Sequence, residues 1–137
     1  MEHLDLSRYA DVFYDKSRGY IIIRLNSKAS ELLPDEGFEE LKRIYDNILP
    51  LKPEYVMINL YDLLFPFTPA FMNRVTNELF PVILQAGTIK RTAYVVSPDI
   101  TTKIGLELLN RKLYSFGDQI KRRIFESEQE AEEWLFR

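Results

Sequence analysis

Residues 55–60 read Tyr-Val-Met-Ile-Asn-Leu, a run that carries apolar side chains on both faces of an extended chain. Such a run is typical of a strand in the buried centre of a parallel sheet, because both faces of that strand are covered. Pro50 and Pro53 lie just before it and end the helical pattern that precedes them. The sequence therefore predicts a central strand at 55–60, and the segments on either side decide its partners.

Two more strands are predicted before the central one. Residues 10–15 are rich in aromatic and β-branched side chains, and residues 20–25 alternate apolar side chains on one face. The residues between them, 16–19, form a turn signal that ends in Gly19, which tolerates the positive φ that hairpin loops often need. We therefore predict an antiparallel hairpin.

Two further runs after the central strand also have strand character. Residues 91–96 read as a second buried strand, and residues 120–125 form a strand that is interrupted by Lys121, Arg122 and Arg123. Because a charged strand resists pairing with other chains, we expect 120–125 at an edge of the sheet. The alternative role for the three basic residues is a surface for an anionic partner or for lipid headgroups.

The segments between these strands have helical spacing. Thr68 and Ser97 each precede a proline. Each pair is typical of a helix start, because the hydroxyl residue is an N-cap and the proline after it needs no N–H donor. Residues 127–130 form a capping box. The predicted buried stripes are Phe38, Leu41, Tyr45 and Ile48 in the first helix; Phe71, Val75, Leu79 and Val82 in the second; Ile100, Ile104 and Leu108 in the third; and Ala131, Trp134 and Leu135 in the last.

The predicted element order is β-β-α-β-α-β-α-β-α. Strands that alternate with helices after one hairpin predict an α/β fold with a mixed, mostly parallel sheet of about five strands. The sheet should be parallel from the second strand onward, with right-handed crossovers. No repeat, linker or low-complexity tract divides the chain, so we predict a single domain over residues 1–137. The strand order stays open.

Composition argues against several classes of function. The chain has no cysteine, which rules out disulfides and thiolate zinc sites. His3 is the only histidine, which argues against a histidine-based metal site and a Ser-His-Asp triad. No glycine-rich phosphate-binding motif occurs. We therefore predict a protein that is not an enzyme and needs no metal or cofactor.

Charge and hydropathy bear on partners and location. A net charge of −3 argues against a general nucleic-acid binder, which needs a concentrated positive field. The apolar stretches are too short to cross a bilayer, and residues 1–3 do not begin a signal peptide. Since cysteine-free chains suit a reducing compartment, we expect a cytoplasmic protein without a membrane span.

This order of elements, with the turn and cap signals between them, resembles the STAS fold, the domain of bacterial anti-anti-sigma factors and of sulfate-transporter tails. The chain is most similar to the SpoIIAA-like branch, small bacterial proteins described as STAS-like or CRAL-TRIO-like. The residues that carry the resemblance are the strand at 56–60, the helix start at 68–69, the strand at 92–96 and the ending at 125–135. The resemblance implies a regulatory, protein-binding module.

The same resemblance implies a position for a phosphorylation switch. In the anti-sigma antagonists an Asp-Ser-Ser-Gly-type segment follows the central strand, and phosphorylation of its serine breaks partner binding. By position Thr68 falls beside that phosphoacceptor, and Pro69 takes about the place of the modified serine. The acid and the glycine are missing here, so we favour a helix-cap role for Thr68 over a phosphoacceptor role.

The apolar loop after the central strand is the main candidate for a binding site. Residues 61–67, Tyr-Asp-Leu-Leu-Phe-Pro-Phe, follow the carboxyl end of that strand, where open α/β sheets place ligands. Loops are normally polar, yet this one carries five large apolar side chains, which either fold back as core or form a docking surface. The candidate binding residues are Tyr61, Leu64, Phe65, Phe67, Thr68 and Phe71.

Two functions fit this loop. The first is a protein-interaction or regulatory module that binds an unknown protein partner, or a second copy of itself, through this surface. The second is a carrier or sensor of a small apolar, lipid-like ligand, with the same aromatic side chains lining a pocket between sheet and helices. If the loop packs as core with no cavity beside it, neither function is supported.

Overall fold

Six strands and five α-helices make up the structure, a computed structural model that describes residues 1–137. The strands are β1 (Glu2–Leu4), β2 (Ala10–Asp15), β3 (Tyr20–Leu25), β4 (Tyr55–Asn59), β5 (Arg91–Val95) and β6 (Lys121–Phe125). The helices are α1 (Pro34–Ile48), α2 (Pro69–Arg74), α3 (Phe80–Ala86), α4 (Ile100–Tyr114) and α5 (Glu128–Leu135). Short 3₁₀ turns cover Ser27–Glu31 and Leu49–Leu51, and a π-helical turn, Val75–Leu79, joins α2 to α3. None of the helices has both the length and the apolar character that crossing a membrane requires.

All six strands form one mixed sheet, in the order in which they occur in the chain. β1, β2 and β3 are antiparallel, and β3 to β6 are parallel. The predicted α/β class, the hairpin and the parallel part of the sheet are confirmed. The predicted count of about five strands was too low because it missed β1, a three-residue strand with two exposed side chains and no apolar alternation.

The sequential strand order decides where the helices lie. Crossovers of one hand between neighbouring strands place their helices on the same face of a sheet. α1, α2, α3 and α4 all pack on one face, here called the covered face, which carries Val12, Ile21, Val56 and Tyr94. α5 follows the last strand and packs on the opposite face, against residues such as Met57. The larger core, 25 buried residues against 8, is on the covered face, and the candidate site lies within it.

Residues 69–86 form one helical segment with a change of pitch in the middle. Pro81 has no N–H to donate, and in a regular α-helix its ring would clash with the carbonyl oxygen of Asn77. The π-helical turn ends two residues before this proline and accommodates it. The wider turn also rotates the buried stripe, so that Phe80 and Ile83 are buried, whereas Val82, predicted to be buried, is exposed.

The predicted buried stripe of α4 is wrong. Ile100, Ile104 and Leu108 lie on the outer surface of the helix, and Ile100 is 72% exposed. The helix carries a second apolar row, which faces the sheet and includes two small residues that permit close packing. This buried row consists of Thr102, Gly105, Leu106, Leu109 and Leu113.

Two of the three predicted helix caps are confirmed. The Oγ1 of Thr68 accepts a hydrogen bond from the backbone N–H of Phe71 at 3.1 Å. The Oγ of Ser127 accepts one from the N–H of Glu130 at 3.2 Å. These are the contacts by which a side chain satisfies an otherwise unpaired N–H at the start of a helix.

The third predicted cap, Ser97, is replaced by Asp99. A carboxylate oxygen of Asp99 accepts from the N–H of Thr102 at 2.9 Å and holds the first turn of α4. Ser97 is buried, and its hydroxyl donates to the carbonyl oxygen of Leu63 at 2.8 Å. Ser97 therefore fastens the loop that follows β4 to the end of β5.

Candidate functional site

The loop at 61–67 has both inward and outward side chains. Leu63 and Phe65 are buried, whereas Tyr61 and Leu64 are 54% and 59% exposed. The remaining candidate residues point mostly inward: Phe71 is buried, and Phe67 and Thr68 are partly buried. The loop thus contributes mainly to the interior, and of the six candidates only Tyr61 and Leu64 lie largely in solvent.

Three of the candidate residues form an aromatic cluster, Phe65, Phe67 and Phe71. Their ring centroids lie 4.9 to 5.7 Å apart, and each pair meets edge to face. This is the favourable geometry for aromatic pairs, because the positive edge of one ring meets the negative face of the next. The sequence analysis named all three as binding candidates, and the structure places them in contact with one another.

The backbone beneath this cluster is held by α4. The N–H of Phe65 donates to the Oγ1 of Thr102 at 3.1 Å, a contact that is itself buried. Two glycines let the rings lie directly against the helices. A Cβ at Gly37 of α1 would lie 2.8 Å from the ring of Phe65, and a Cβ at Gly105 of α4 would lie 2.6 Å from Phe67. The loop therefore occupies a fixed position between α1 and α4.

A cavity of about 120 Å³ lies between the covered face and its helices, with the aromatic cluster in its wall. Of the 26 residues that line it, 22 are apolar, including Ile44 of α1, Ile58 of β4 and Leu106 of α4. An apolar void of about 150 Å³ in another protein stays dry and binds benzene. The cavity here is of comparable size and character, so its wall fits a small apolar molecule.

Arg122 of β6 is one of the four lining residues that are not apolar, and it is the only cation among them. It is 3% exposed, and its Nε, Nη1 and Nη2 have no hydrogen-bond partner in the protein. Its guanidinium carbon lies over two rings, 4.9 Å from the centroid of Phe80 and 4.4 Å from that of Tyr114. A buried charge of this kind is costly unless it is paired and hydrogen-bonded.

The position of Arg122 corrects a sequence prediction. β6 is at the sheet edge as predicted, and Lys121 and Arg123 are exposed. Arg122 is not part of that basic surface, because side chains alternate along a strand and it shares the covered face with Ile120 and Ile124. The alternation of 120, 122 and 124 was the signal in the sequence that could have placed this arginine inside.

Tyr114 contacts the backbone of Arg122 as well as the side chain of Arg122. The tyrosine hydroxyl accepts from the N–H of Arg122 at 2.8 Å and donates to its carbonyl oxygen at 2.6 Å. These contacts satisfy both backbone polar groups of Arg122 on the open edge of β6. The guanidinium thus rests on a fixed backbone and a fixed ring.

Two tyrosines lie close to Arg122 in the cavity wall. Burial raises the pKa of Tyr94 to about 12, while Arg122 acts in the lowering direction. Burial also raises the pKa of Tyr45 above its ordinary range, again with Arg122 opposing. Both phenols therefore stay neutral at physiological pH. Beside these two neutral phenols, Thr92, the partner of Arg122 on β5, adds a buried hydroxyl to the cavity wall.

Glu40 is the only carboxylate in the cavity lining, and it is already paired. Its Oε1 accepts from the hydroxyl of Ser7 at 2.8 Å and forms an ion pair with Arg43. It makes no salt bridge with Arg122, and it is partly exposed, so it belongs to the solvent side of the cavity. Arg122 is consequently the one unpaired charge in the cavity wall.

The opposite face of the sheet carries a separate polar contact. Arg24 of β3 donates to both carboxylate oxygens of Glu128, from Nε at 2.8 Å and from Nη2 at 2.9 Å. Asn59 of β4 adds a third hydrogen bond at 2.7 Å. These donors, Arg24 first, lower the pKa of Glu128 below its ordinary value. The contact anchors the start of α5 to the sheet and lies away from the cavity.

No group of three or more His, Cys, Asp or Glu side chains is placed to hold a metal ion. Comparison of the chain with models of protein families, with curated proteins and with solved structures gave no match. The resemblance to the STAS fold therefore stays a prediction, and the cavity carries the functional argument.

Proposed function

We propose that this protein binds a small apolar molecule in the cavity between the covered face and its helices. The observation that carries the proposal is the cavity itself, about 120 Å³ with an almost wholly apolar wall. Protein interiors are normally packed with few voids larger than a water molecule, so a void of this size is unusual and leaves room for a small apolar ligand. This is the second of the two functions expected from the sequence.

The placement of the apolar loop supports this choice. Phe65, Phe67 and Leu63 turn inward and line the cavity instead of forming an outer surface. The backbones of Phe65 and Leu63 are held by hydrogen bonds to Thr102 and Ser97, so the wall is formed before any ligand arrives. A preformed apolar pocket with few polar groups is the usual form of a small-molecule site.

A titration with toluene tests the proposal. We expect saturable changes in the methyl NMR signals of residues that line the cavity, such as Ile58 and Leu106. Leu109→Trp should fill the cavity and weaken toluene binding at least tenfold. Leu108→Trp is the matched control, because this neighbouring side chain lies on the outer surface of the same helix. Absence of shifts in the wild-type protein would overturn the proposal.

The tryptophan variant needs a check on folding. Circular dichroism and amide spectra establish whether Leu109→Trp keeps the native structure. Ile44→Phe fills the same cavity from α1 with a smaller side chain and serves as the second variant. If both fold and both bind toluene as the wild type does, the toluene site is elsewhere and the proposal is wrong.

A protein-interaction role is the second candidate, and one observation favours it. Ile100, Ile104 and Leu108 form an exposed apolar row along α4. Apolar rows on a surface often mark association sites. Sedimentation of the wild type and of Ile104→Lys over a range of concentrations tests self-association, which the lysine should abolish. A wild type that is monomeric at all concentrations excludes self-association through this row.

A further inference from the structure

An apolar ligand alone does not compensate the buried charge of Arg122. Its three nitrogens carry five N–H donors, and none of the nitrogens has a hydrogen-bond partner although the residue is almost fully buried. An arginine does not lose its proton in proteins, so the side chain stays charged inside the core. The chain supplies no carboxylate to neutralise it.

The two rings beside Arg122 do not replace such a partner. Phe80 and Tyr114 contact the guanidinium through their faces, and a cation–π contact uses the ring quadrupole. The N–H bonds lie in the plane of the guanidinium and point away from such contacts. The three nitrogens have almost no accessible surface, so an acceptor in the cavity, which Arg122 lines, reaches the N–H groups when the guanidinium turns toward it.

We infer that Arg122 binds the carboxylate of a small monocarboxylic acid whose hydrocarbon part lies in the cavity. The inference rests on the proposed function and names its ligand class. A guanidinium and a carboxylate have matching planar geometry and form two parallel hydrogen bonds. Tyr45 and Tyr94 line the same cavity and add neutral hydroxyls.

Charge balance selects a monoanion. Arg122 is the only cation in the cavity lining, and Glu40, the only carboxylate there, is paired with Arg43. A phosphate monoester would bring close to two negative charges to one positive charge in an apolar surrounding, which leaves one charge buried without compensation. A carboxylate brings one negative charge, which matches the one positive charge of Arg122.

The volume of the cavity limits the hydrocarbon part. About 120 Å³ is slightly less than the void of about 150 Å³ that accepts benzene. The ligand is therefore a compact acid with one aromatic ring or a short branched chain, such as phenylacetate or isovalerate. A long-chain fatty acid exceeds the space.

Binding of phenylacetate and of toluene to three proteins tests the inference. The proteins are the wild type, Arg122→Met, and Arg123→Met, whose side chain is exposed on the same strand. We expect the ratio of phenylacetate affinity to toluene affinity to be at least tenfold lower in Arg122→Met than in the wild type, because only phenylacetate carries a carboxylate. Arg123→Met should match the wild type with both probes. The ¹⁵Nε–¹H signal of Arg122 should shift with phenylacetate and not with toluene.

The outcomes separate the inference from the function on which it rests. If toluene binds in the cavity and phenylacetate does not, the inference fails and the proposed function stands. The same holds if phenylacetate binds Arg122→Met as tightly as it binds the wild type. If neither probe binds the wild type, both fail. If acetate shifts the Arg122 signal at the same concentration as phenylacetate, Arg122 is a general anion site and the inference also fails.

A pH series on the wild type alone covers the case in which Arg122→Met does not fold. The affinity for phenylacetate should fall as the pH is lowered through the pKa of its carboxyl group, about 4 for such groups. The affinity for toluene should stay constant over the range in which the protein remains folded. Parallel pH profiles for the two probes would contradict carboxylate recognition.

Discussion

Gly105 lies directly against Phe67, so that a Cβ on this glycine would come within 2.6 Å of the Cβ of the phenylalanine. The contact joins the apolar loop to the middle of α4. Since real Cβ atoms do not approach side chains this closely, either the loop or the helix must move if the glycine gains a side chain. The distance between the two elements, and with it the shape of the cavity wall, depends on this missing methyl group.

Gly105→Ala should therefore destabilise the protein by about 2 kcal/mol, the usual cost of overpacking a core. The sign of this change in stability is informative, because alanine at an exposed helix position is more favourable than glycine by about 1 kcal/mol. Thr101→Ala, at an exposed position of α4, controls for helix propensity. Urea unfolding measures both variants, and a more stable Gly105→Ala would contradict the close contact.

Arg122→Met should raise the free energy of unfolding of the ligand-free protein by about 1 kcal/mol. The methionine fills a similar volume and removes a buried charge that has no hydrogen-bond partner in the protein. Arg123→Met, on the exposed side of β6, should change the stability by less than about 0.5 kcal/mol. A clear loss of stability in Arg122→Met would mean that the two ring contacts outweigh the unsatisfied charge.

Tyr114→Phe should cost about 1 kcal/mol, because it removes two hydrogen bonds to the backbone of Arg122 and keeps the ring beneath the guanidinium. The amide of Arg122 should exchange with solvent faster, since its acceptor is lost. Hydrogen exchange measured by NMR gives both results. Unchanged protection at Arg122 would show that another acceptor takes the place of the hydroxyl.

Glu128→Gln should lower the stability at neutral pH by about 1 kcal/mol, a modest figure because the carboxylate is partly exposed. The pKa of Glu128 is lower in the folded protein than its ordinary value of 4.5, so the charged form stabilises the fold above pH 4.5. That contribution is lost as the pH falls through the folded-state pKa.

The difference in stability between the wild type and Glu128→Gln should therefore shrink in acid. The free energy of unfolding of both proteins, measured from pH 7 down to pH 3, gives this difference. Glu133→Gln is the control, since Glu133 is exposed and lies on the same helix. A difference that stays constant with pH would show that Glu128 acts through packing and not through its charge.

The short-range signals in the sequence predicted most of the fold. The turn at Gly19, the caps at Thr68 and Ser127 and the apolar run at 55–60 are local patterns, and each corresponds to an element of the structure. These patterns depend on neighbours in the chain. The strand order depends on which strands meet in space, and the sequence left it open.

The candidate site was harder to predict, for physical reasons that differ between its parts. The three residues of the aromatic cluster were named as candidates, but a cavity is the difference between the volume of the side chains and the space around them, which no local pattern records. On α4 two apolar rows compete, and the small residue Gly105 decides which one faces the sheet. Arg122 was taken for a surface charge because it lies between Lys121 and Arg123.

The sequential order of the strands has a consequence for how the chain is made. Each strand pairs with the one synthesised just before it, so the sheet is able to grow in the direction of translation without waiting for distant segments. Until β6 emerges, the apolar β5 is the growing edge, and an edge of that kind is prone to aggregate. The last strand brings the basic residues that protect the edge, and α5 follows to cover the opposite face. A chain that is truncated before residue 121 should therefore be more prone to aggregate than the whole chain.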